Sequence, residues 1–582
     1  MYIGSQIDKT SAGDVLDGFS DRIGQGNGQR LAVQTCSATN LSSSQYFGVA
    51  VADTDGLAAV QDALRSWNEA QCVDGDSKTA WSGPELSTYV CCSPGDPPDF
   101  SPQPNSDGTC SAYTIKSGDY CQAIADAHSM TVEDIQDCNR NTWGWQGCGN
   151  IFLGMKICLS TGRPPFPAVV PNAVCGPQVN NTEPTSDVSG WADLNQCPLK
   201  ACCDIFGQCG ITSDFCTPNP ADTGNPGTAQ PGSNGCISNC GTDIITSGRP
   251  STFERIGYYE AFSVERPCDH LSVGSIPDRY TIDFKKETRF KKIVSFGGWE
   301  FSTAPSSFDI LRSAVKPENR QNFANNVAKF VQDEGLDGVD IDWEYPGAPD
   351  SQGEPIPIDS PDSADNYLEF LKLLRAALPS KYSISIAIPA SFYYLKAFPA
   401  DQLGDLLDYF IYMTYDLHGQ WDYGNTFTNP GCPNGNCLRS QINQTETESA
   451  LSMLTKAGVD SSKIMLGQPL YGRSFKMTDP GCYTAACTFT GPSSGAQPGN
   501  CTGTPGYIAN LEIRNIINGG EYDVQQYNSL EAGDILVYDG NWVSWMTDST
   551  YDRRSDYARG LGLGGTSDWP RSRLRLLTTG RT

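Results

Sequence analysis

Residues 337–347 read DGVDIDWEYPG and constrain the fold more than any other stretch, because an acidic side chain recurs at every second position inside an otherwise apolar run. With the side-chain period of a strand, Gly338, Asp340, Asp342 and Glu344 share one face, and Val339, Ile341 and Trp343 share the other. A solvated charge run does not interleave with Val, Ile and Trp, so the pattern predicts a buried strand. In a parallel (β/α)8 arrangement the outward set packs under helices, and the inward set climbs towards the C-terminal mouth, where active sites sit. Three carboxylates are therefore expected to line a cavity.

Carboxylates spaced about 7 Å along a strand repel one another. At least one should keep its proton near neutral pH. A protonated Glu beside an ionisable Asp is what glycosidic cleavage requires. The same cluster would suit a hard cation, but no histidine lies near it, which disfavours zinc. Neither a metal nor another cofactor is expected.

The stretch resembles the DxxDxDxE signature of glycoside hydrolase family 18, the chitinases. The resemblance implies a substrate-assisted reaction in which the 2-acetamido carbonyl oxygen of the sugar attacks its own anomeric carbon. Glu344 would protonate the glycosidic oxygen, Asp342 would orient the acetamido N–H and balance the oxazolinium charge, and Asp340 would hold Asp342. Further segments fit the same barrel. Its first strand is expected at 255–260, with Tyr258. Residues 292–299 resemble the family's SxGG strand, whose small residues give sugar room, followed by Trp299. Residues 410–416 resemble its MxYD strand, with Met413, Tyr415 and Asp416. Tyr415 would hydrogen-bond the acetamido oxygen and Asp416 would position the sugar. Residues 464–475 are read as one strand carrying Tyr471 and Arg473, and 564–569 as the last, with Trp569 as the apolar floor. Tyr345 completes the substrate-binding set, and residues 476–550 resemble an α+β insertion forming a cleft wall.

Counting exposes a break in this pattern. Only 38 positions separate Ile256 from Val294, where two βα units need roughly 60. The second strand is expected to be cut short after Tyr280-Thr281-Ile282, leaving its neighbours with unpaired edges. The basic tail at 570–577 lacks the stripe of a closing helix.

The 582 residues suggest several domains. No run of ~20 apolar residues occurs, so no membrane span is expected. A net charge of -27 argues against nucleic acid or an anionic membrane as partner, whereas a neutral polymer carries no such objection. Of 23 cysteines, 17 precede residue 241, a density typical of disulfide-stapled modules in an oxidising compartment. Sequons at Asn40, Asn180, Asn443 and Asn500 are compatible with secretion. Residues 1–5 lack the basic and apolar regions of a signal peptide, so the true N-terminus is expected to lie elsewhere.

Along the chain, residues 1–92 read as an α+β region, with a strand near Phe47 to Ala52 and a helical stripe of Leu57, Val60, Leu64 and Trp67. Val90-Cys91-Cys92 resembles the closing strand of a LysM unit. A linker over 93–109 precedes residues 110–160, which resemble a LysM domain, a β-α-α-β module that binds N-acetylglucosamine oligomers. After a linker over 161–174, residues 175–240 carry Cys175, Cys197, Cys202, Cys203, Cys209, Cys216, Cys236 and Cys240. Eight cysteines suggest four staples, with 105 connectivities open. This segment resembles the hevein-type chitin-binding module, in which sugar faces stack on exposed aromatics. Phe206 and Phe215 fall at such positions, while Gln208 and Asp204 depart from the family pattern. A linker over 241–252 leads to the barrel at 253–582.

These features imply a secreted, fungal, endo-type chitinase with chitin and N-acetylglucosamine oligomers as partners. Its module order resembles killer-toxin α subunits, which implies a toxin-type partner subunit. Two rivals stand beside it: a chitin lectin or docking subunit with an incompetent barrel, and an endo-N-acetylglucosaminidase.

Overall fold

The computed structural model describes the chain except for residues 5–15, 17–18, 21–29, 35–42, 53–56, 72, 74–100, 259–285, 287, 429–430 and 571–582. The expected LysM remnant at 90–92, the shortened second strand and the 571–577 tail lie outside the described residues. No helix among those described is long and apolar enough to cross a membrane. The chain divides into two units, Met1–Ala168 and Val169–Thr582.

The first unit begins with a three-stranded antiparallel sheet, in which Phe47–Ala52 lies between Tyr2–Ile3 and Arg30–Gln34. Helix Leu57–Asn68 covers it, but through Ala59, Ala63 and Trp67, while Leu57 is exposed. The buried face is thus rotated from the expected stripe: small alanines at i and i+4 allow close approach, and the Trp67 indole seats over Gly48. Its N–H donates to Gln34 Oε1 at 2.6 Å.

Strands Ala112–Thr114 and Lys156–Cys158 then pair antiparallel around helices Cys121–Ala127 and Val132–Cys138, the expected β-α-α-β order. Ile115, Ile124, Ile135, Trp145 and Ile157 form the core. Cys110–Cys158 and Cys121–Cys148 staple it.

In the second unit the cysteines of 175–240 pair as Cys175–Cys203, Cys197–Cys209, Cys202–Cys216 and Cys236–Cys240. Each bridge stabilises so small a fold by roughly 2–4 kcal/mol. Seven parallel strands follow, in the order Ile293–Gly297, Gly338–Asp342, Ser383–Pro389, Tyr409–Met413, Ile464–Pro469, Gly565–Trp569 and Glu254–Gly257. Flat, this sheet would part its outer strands by about 29 Å at the usual strand spacing. Yet Tyr258 just past one outer strand and Ser295 within the other both donate to the same carboxylate. The sheet is therefore curled in the manner of a TIM barrel, and the interval between its outer strands in sequence is 258–292.

Val339, Ile341 and Trp343 all enter the main core, under helices such as Arg320–Asp333 and Ser363–Ala377. The segment 464–475 is two strands and not one. Pro469, which has no N–H to continue a ladder, ends the parallel strand. Tyr471–Lys476 turns away to join an antiparallel sheet with Tyr507–Ala509, Asn541–Trp545, Gly533–Tyr538 and Val524–Ser529. Helix Asn510–Gly519 packs on that sheet, so the inserted sheet starts at Tyr471.

Candidate active site

Asp340 is the most fully held of the three acids. Its Oδ2 accepts from the hydroxyls of Tyr258 (2.7 Å) and Ser295 (2.8 Å), and its Oδ1 from Ser385 (2.7 Å). Ser295 and Ser385 are its register partners on the two neighbouring strands. Burial pushes the Asp340 carboxyl up, and the three hydroxyls offset only part of that.

Asp342 is also buried, and its Oδ1 has no hydrogen-bond partner among the described residues. Burial, and then the charges of Glu344 and Asp340, push its carboxyl well above the usual range. Burial likewise raises Glu344 to about 7; the neighbouring Tyr345 hydroxyl opposes the rise and the Asp416 charge adds to it. Each charge disfavours the other, so Asp342 and Glu344 titrate as one system. The Glu344 backbone N–H donates to Ser302 Oγ at 3.1 Å.

The glycines beside these acids serve the backbone. Gly297 has φ +123, and a Cβ there would lie 1.9 Å from the Asp342 carbonyl oxygen. Close approach of the two strands thus requires glycine at this position, a constraint distinct from the room for sugar that the sequence suggested.

Asp416 sits just past strand Tyr409–Met413 with φ 54, a conformation Asp tolerates. Arg473 from the inserted sheet grips it with two parallel bonds of 2.7 Å, and Tyr471 donates a third of 2.7 Å. Arg473 thus engages a carboxylate in a bidentate fork, whereas the sequence suggested a sugar contact. Tyr415 is buried against Tyr471 and Ile442, with Met413 and Trp569 partly buried on the same cluster. The Trp569 ring meets Tyr258 edge-on at 5.0 Å. Tyr345 stacks on Tyr394 at 5.1 Å. Trp299 opens helix Trp299–Thr303 and is exposed.

Sequence reasoning missed several members of this constellation. Ser295 was visible only as a small residue of the 292–299 strand, and Ser385 was not singled out. Trp421, 48% exposed, lies over the Arg473 guanidinium at 4.8 Å. An indole in the loop five positions after Asp416 was the available signal. His418, buried on that loop, bridges Asp422 (2.7 Å) and Glu446 (2.9 Å). Burial would lower its pKa, but the bonds to both carboxylates outweigh that and raise it to about 9.

In the cystine-rich segment, buried Asp204 accepts the backbone N–H groups of Phe206 (2.9 Å) and Gln208 (2.8 Å) and so fixes the turn that exposes Phe206. Phe215 is half-buried over Gly210, where a Cβ would strike its ring.

Residues 113–160 match the LysM domain, and residues 1–73 match the LysM11 N-terminal domain. Probable chitinase LysM18 of Penicillium expansum is 46% identical over 577 residues, covering 93% of this chain and 39% of that protein. Secreted chitinase LysM12 of the same organism is 39% identical, with 98% and 46% covered. Killer toxin subunits alpha/beta of Kluyveromyces lactis is 38% identical, with 82% and 41% covered. The chain spans less than half the length of each of these relatives. Residues 259–573, more than half of the 582, match Glycosyl hydrolases family 18. That span holds all three acids of the buried strand together with Asp416 and Arg473, and the chain belongs to glycosyl hydrolases family 18.

Proposed function

We propose that this chain is a secreted chitinase that hydrolyses β-1,4 bonds between N-acetylglucosamine units with retention of configuration. The observation that carries the reading is the contrast along one strand. Asp340 is satisfied by three hydroxyls, the adjacent Asp342 keeps a buried Oδ1 without a donor, and Glu344 is raised to about 7. An acetamido N–H supplies the donor that Asp342 lacks. Its carbonyl oxygen then attacks the anomeric carbon as the bond to the leaving oxygen breaks, and Glu344 delivers its proton to that oxygen. The oxazolinium charge rests against Asp342. Water then opens the ring, returning a proton to the Glu344 carboxylate.

Asp416 positions the sugar and is itself aimed by Arg473 and Tyr471, and Tyr415 hydrogen-bonds the acetamido oxygen. Trp569 forms the floor, and Met413, Tyr258, Trp299 and Tyr345 line the cleft. The LysM domain, and Phe206 and Phe215 in a hevein-like role, raise local concentration on the polymer. Endo action and a toxin-type partner subunit belong to the same reading.

The test is fluorophore release from a chitotriose conjugate by the parent and by Glu344→Gln, with circular dichroism on both. Activity lost only in the variant supports the proposal. A folded but inert parent that still binds chitin would favour the lectin reading and sink this one.

A further inference from the structure

The cystine-rich module is fastened to the catalytic body, and the segment expected as a linker over 241–252 does the fastening. Lys456, at the end of helix Gln444–Lys456, donates to the carbonyls of Asn239 and of Gly241 (3.0 Å). Ser452 Oγ donates to the Asp243 carbonyl at 3.1 Å, and the Ile245 N–H to Thr455 Oγ1 at 3.0 Å. Ser247 and Ser461 exchange two bonds of 3.0 Å, each backbone N–H meeting the other's hydroxyl. These anchors leave no slack between module and barrel.

One side chain carries that rigidity towards the catalytic acids. Phe392 packs at once against the main barrel core and against the module's buried cluster of Cys175, Cys197, Ala201 and Cys203. It opens Phe392–Leu395, a helix of four residues just after strand Ser383–Pro389. So short a helix cannot hold its own place, and tertiary contacts must set it. Two residues on, the Tyr394 ring stacks on Tyr345 at 5.1 Å and its hydroxyl donates to Asp350 Oδ1 at 3.3 Å. Tyr345 is joined directly to Glu344, its hydroxyl opposes the rise of the Glu344 carboxyl, and the charged groups facing it are Glu344, Asp342 and Asp416.

We propose that the module over 175–240 is a buttress of the active site and that Phe392 is a positioning residue, wedged between module and barrel so that Tyr394 holds Tyr345 beside Glu344. The kinetic part of this inference rests on the chitinase reading. The module then contributes to turnover of soluble substrate, a role separate from any grip on insoluble polymer.

The experiment uses the full chain with Phe392→Ala and Phe392→Leu, measuring turnover of a soluble chitotriose conjugate across pH and amide hydrogen exchange. For Phe392→Ala, kcat is expected to fall about tenfold or more from misplacement of the acid's neighbour. The basic limb of the pH profile should move to higher pH, because the Tyr345 hydroxyl that holds the Glu344 carboxyl down is displaced. Phe392→Leu, which keeps apolar volume at the wedge, should recover most of both effects. The amides of Glu344, Tyr345, Gly347 and Ala348 and those of 391–397 should exchange faster in Phe392→Ala, with helix Ser363–Ala377 unchanged. Unaltered exchange at 344–348, or a rate loss with an unmoved limb, would overturn the proposal. A parent that does not turn over would refute the chitinase reading alone, and exchange at 344–348 would then decide the positioning role.

Discussion

Replacing Glu344 by Gln keeps the side chain's size and removes its proton, and burial of the carboxyl gives the change two opposite consequences. The group's ordinary value of 4.5 is raised to about 7 in the folded chain. Between those values the folded state binds more protons than the unfolded one, so this group's contribution makes stability fall as pH rises from about 4.5 through about 7. The difference corresponds to about 3 kcal/mol once both states are ionised, spread over the coupled pair with Asp342. Gln carries no such penalty. The variant should therefore melt with the parent near pH 5 and about 5 °C above it at pH 8. Turnover should drop by about 10²–10⁴, the usual worth of a positioned general acid. The parent's own kcat/KM should fall about tenfold per pH unit above about 7, as the acid loses its proton. Thermal melts of both proteins at pH 5, 6.5 and 8, beside fluorophore release from a chitotriose conjugate, measure all of this. A melting gap that is the same at pH 5 and pH 8 would refute the reasoning from burial, and undiminished turnover would refute the role of Glu344.

Three further substitutions probe the groups around the acids. Tyr258→Phe removes one of three hydroxyls on Asp340, so that carboxyl should rise further and kcat should fall about tenfold, the scale of one hydrogen bond to a charged group; an unchanged pH–rate profile would count against it. Arg473→Lys replaces a two-pronged grip on Asp416 with a single point charge and should lower kcat/KM by about 10–100-fold, with kinetics within twofold of the parent as the contrary result. The contribution of His418 should be fully present below about pH 6.5 and lost as pH rises through about 9, because its folded value lies above its ordinary one. His418→Gln should therefore flatten the fall in melting temperature over that window, by an amount equivalent to about 3 kcal/mol. Parallel melting curves for parent and variant would exclude this.

The alternation in 337–347 was enough to assign both faces of the catalytic strand, because side-chain direction along a strand is a local property with a fixed period. Val339, Ile341 and Trp343 do enter the main core, and Asp340 and Asp342 lie buried opposite them, with Glu344 half-buried just past the strand. The β-α-α-β order of 110–160 was legible through its resemblance to a LysM domain. What the sequence could not reveal is how distant segments register. The three hydroxyls on Asp340 come from positions 82, 45 and 45 residues away, and parallel pairing alone decides that Ser295 and Ser385 stand level with it. Arg473 reaches Asp416 only because the chain leaves the barrel at Pro469 and starts a second sheet, so a segment read as one strand serves two. The helix over 57–68 turned its alanines inward because the Trp67 ring seats where Gly48 has no side chain and draws the helix close, which periodicity does not register. Which of the 105 cystine pairings forms, and whether 241–252 swings free or lies along a helix, likewise depended on surfaces brought together by folding. Local pattern determined which residues point into the cavity, while long-range packing determined the partners that set their charge.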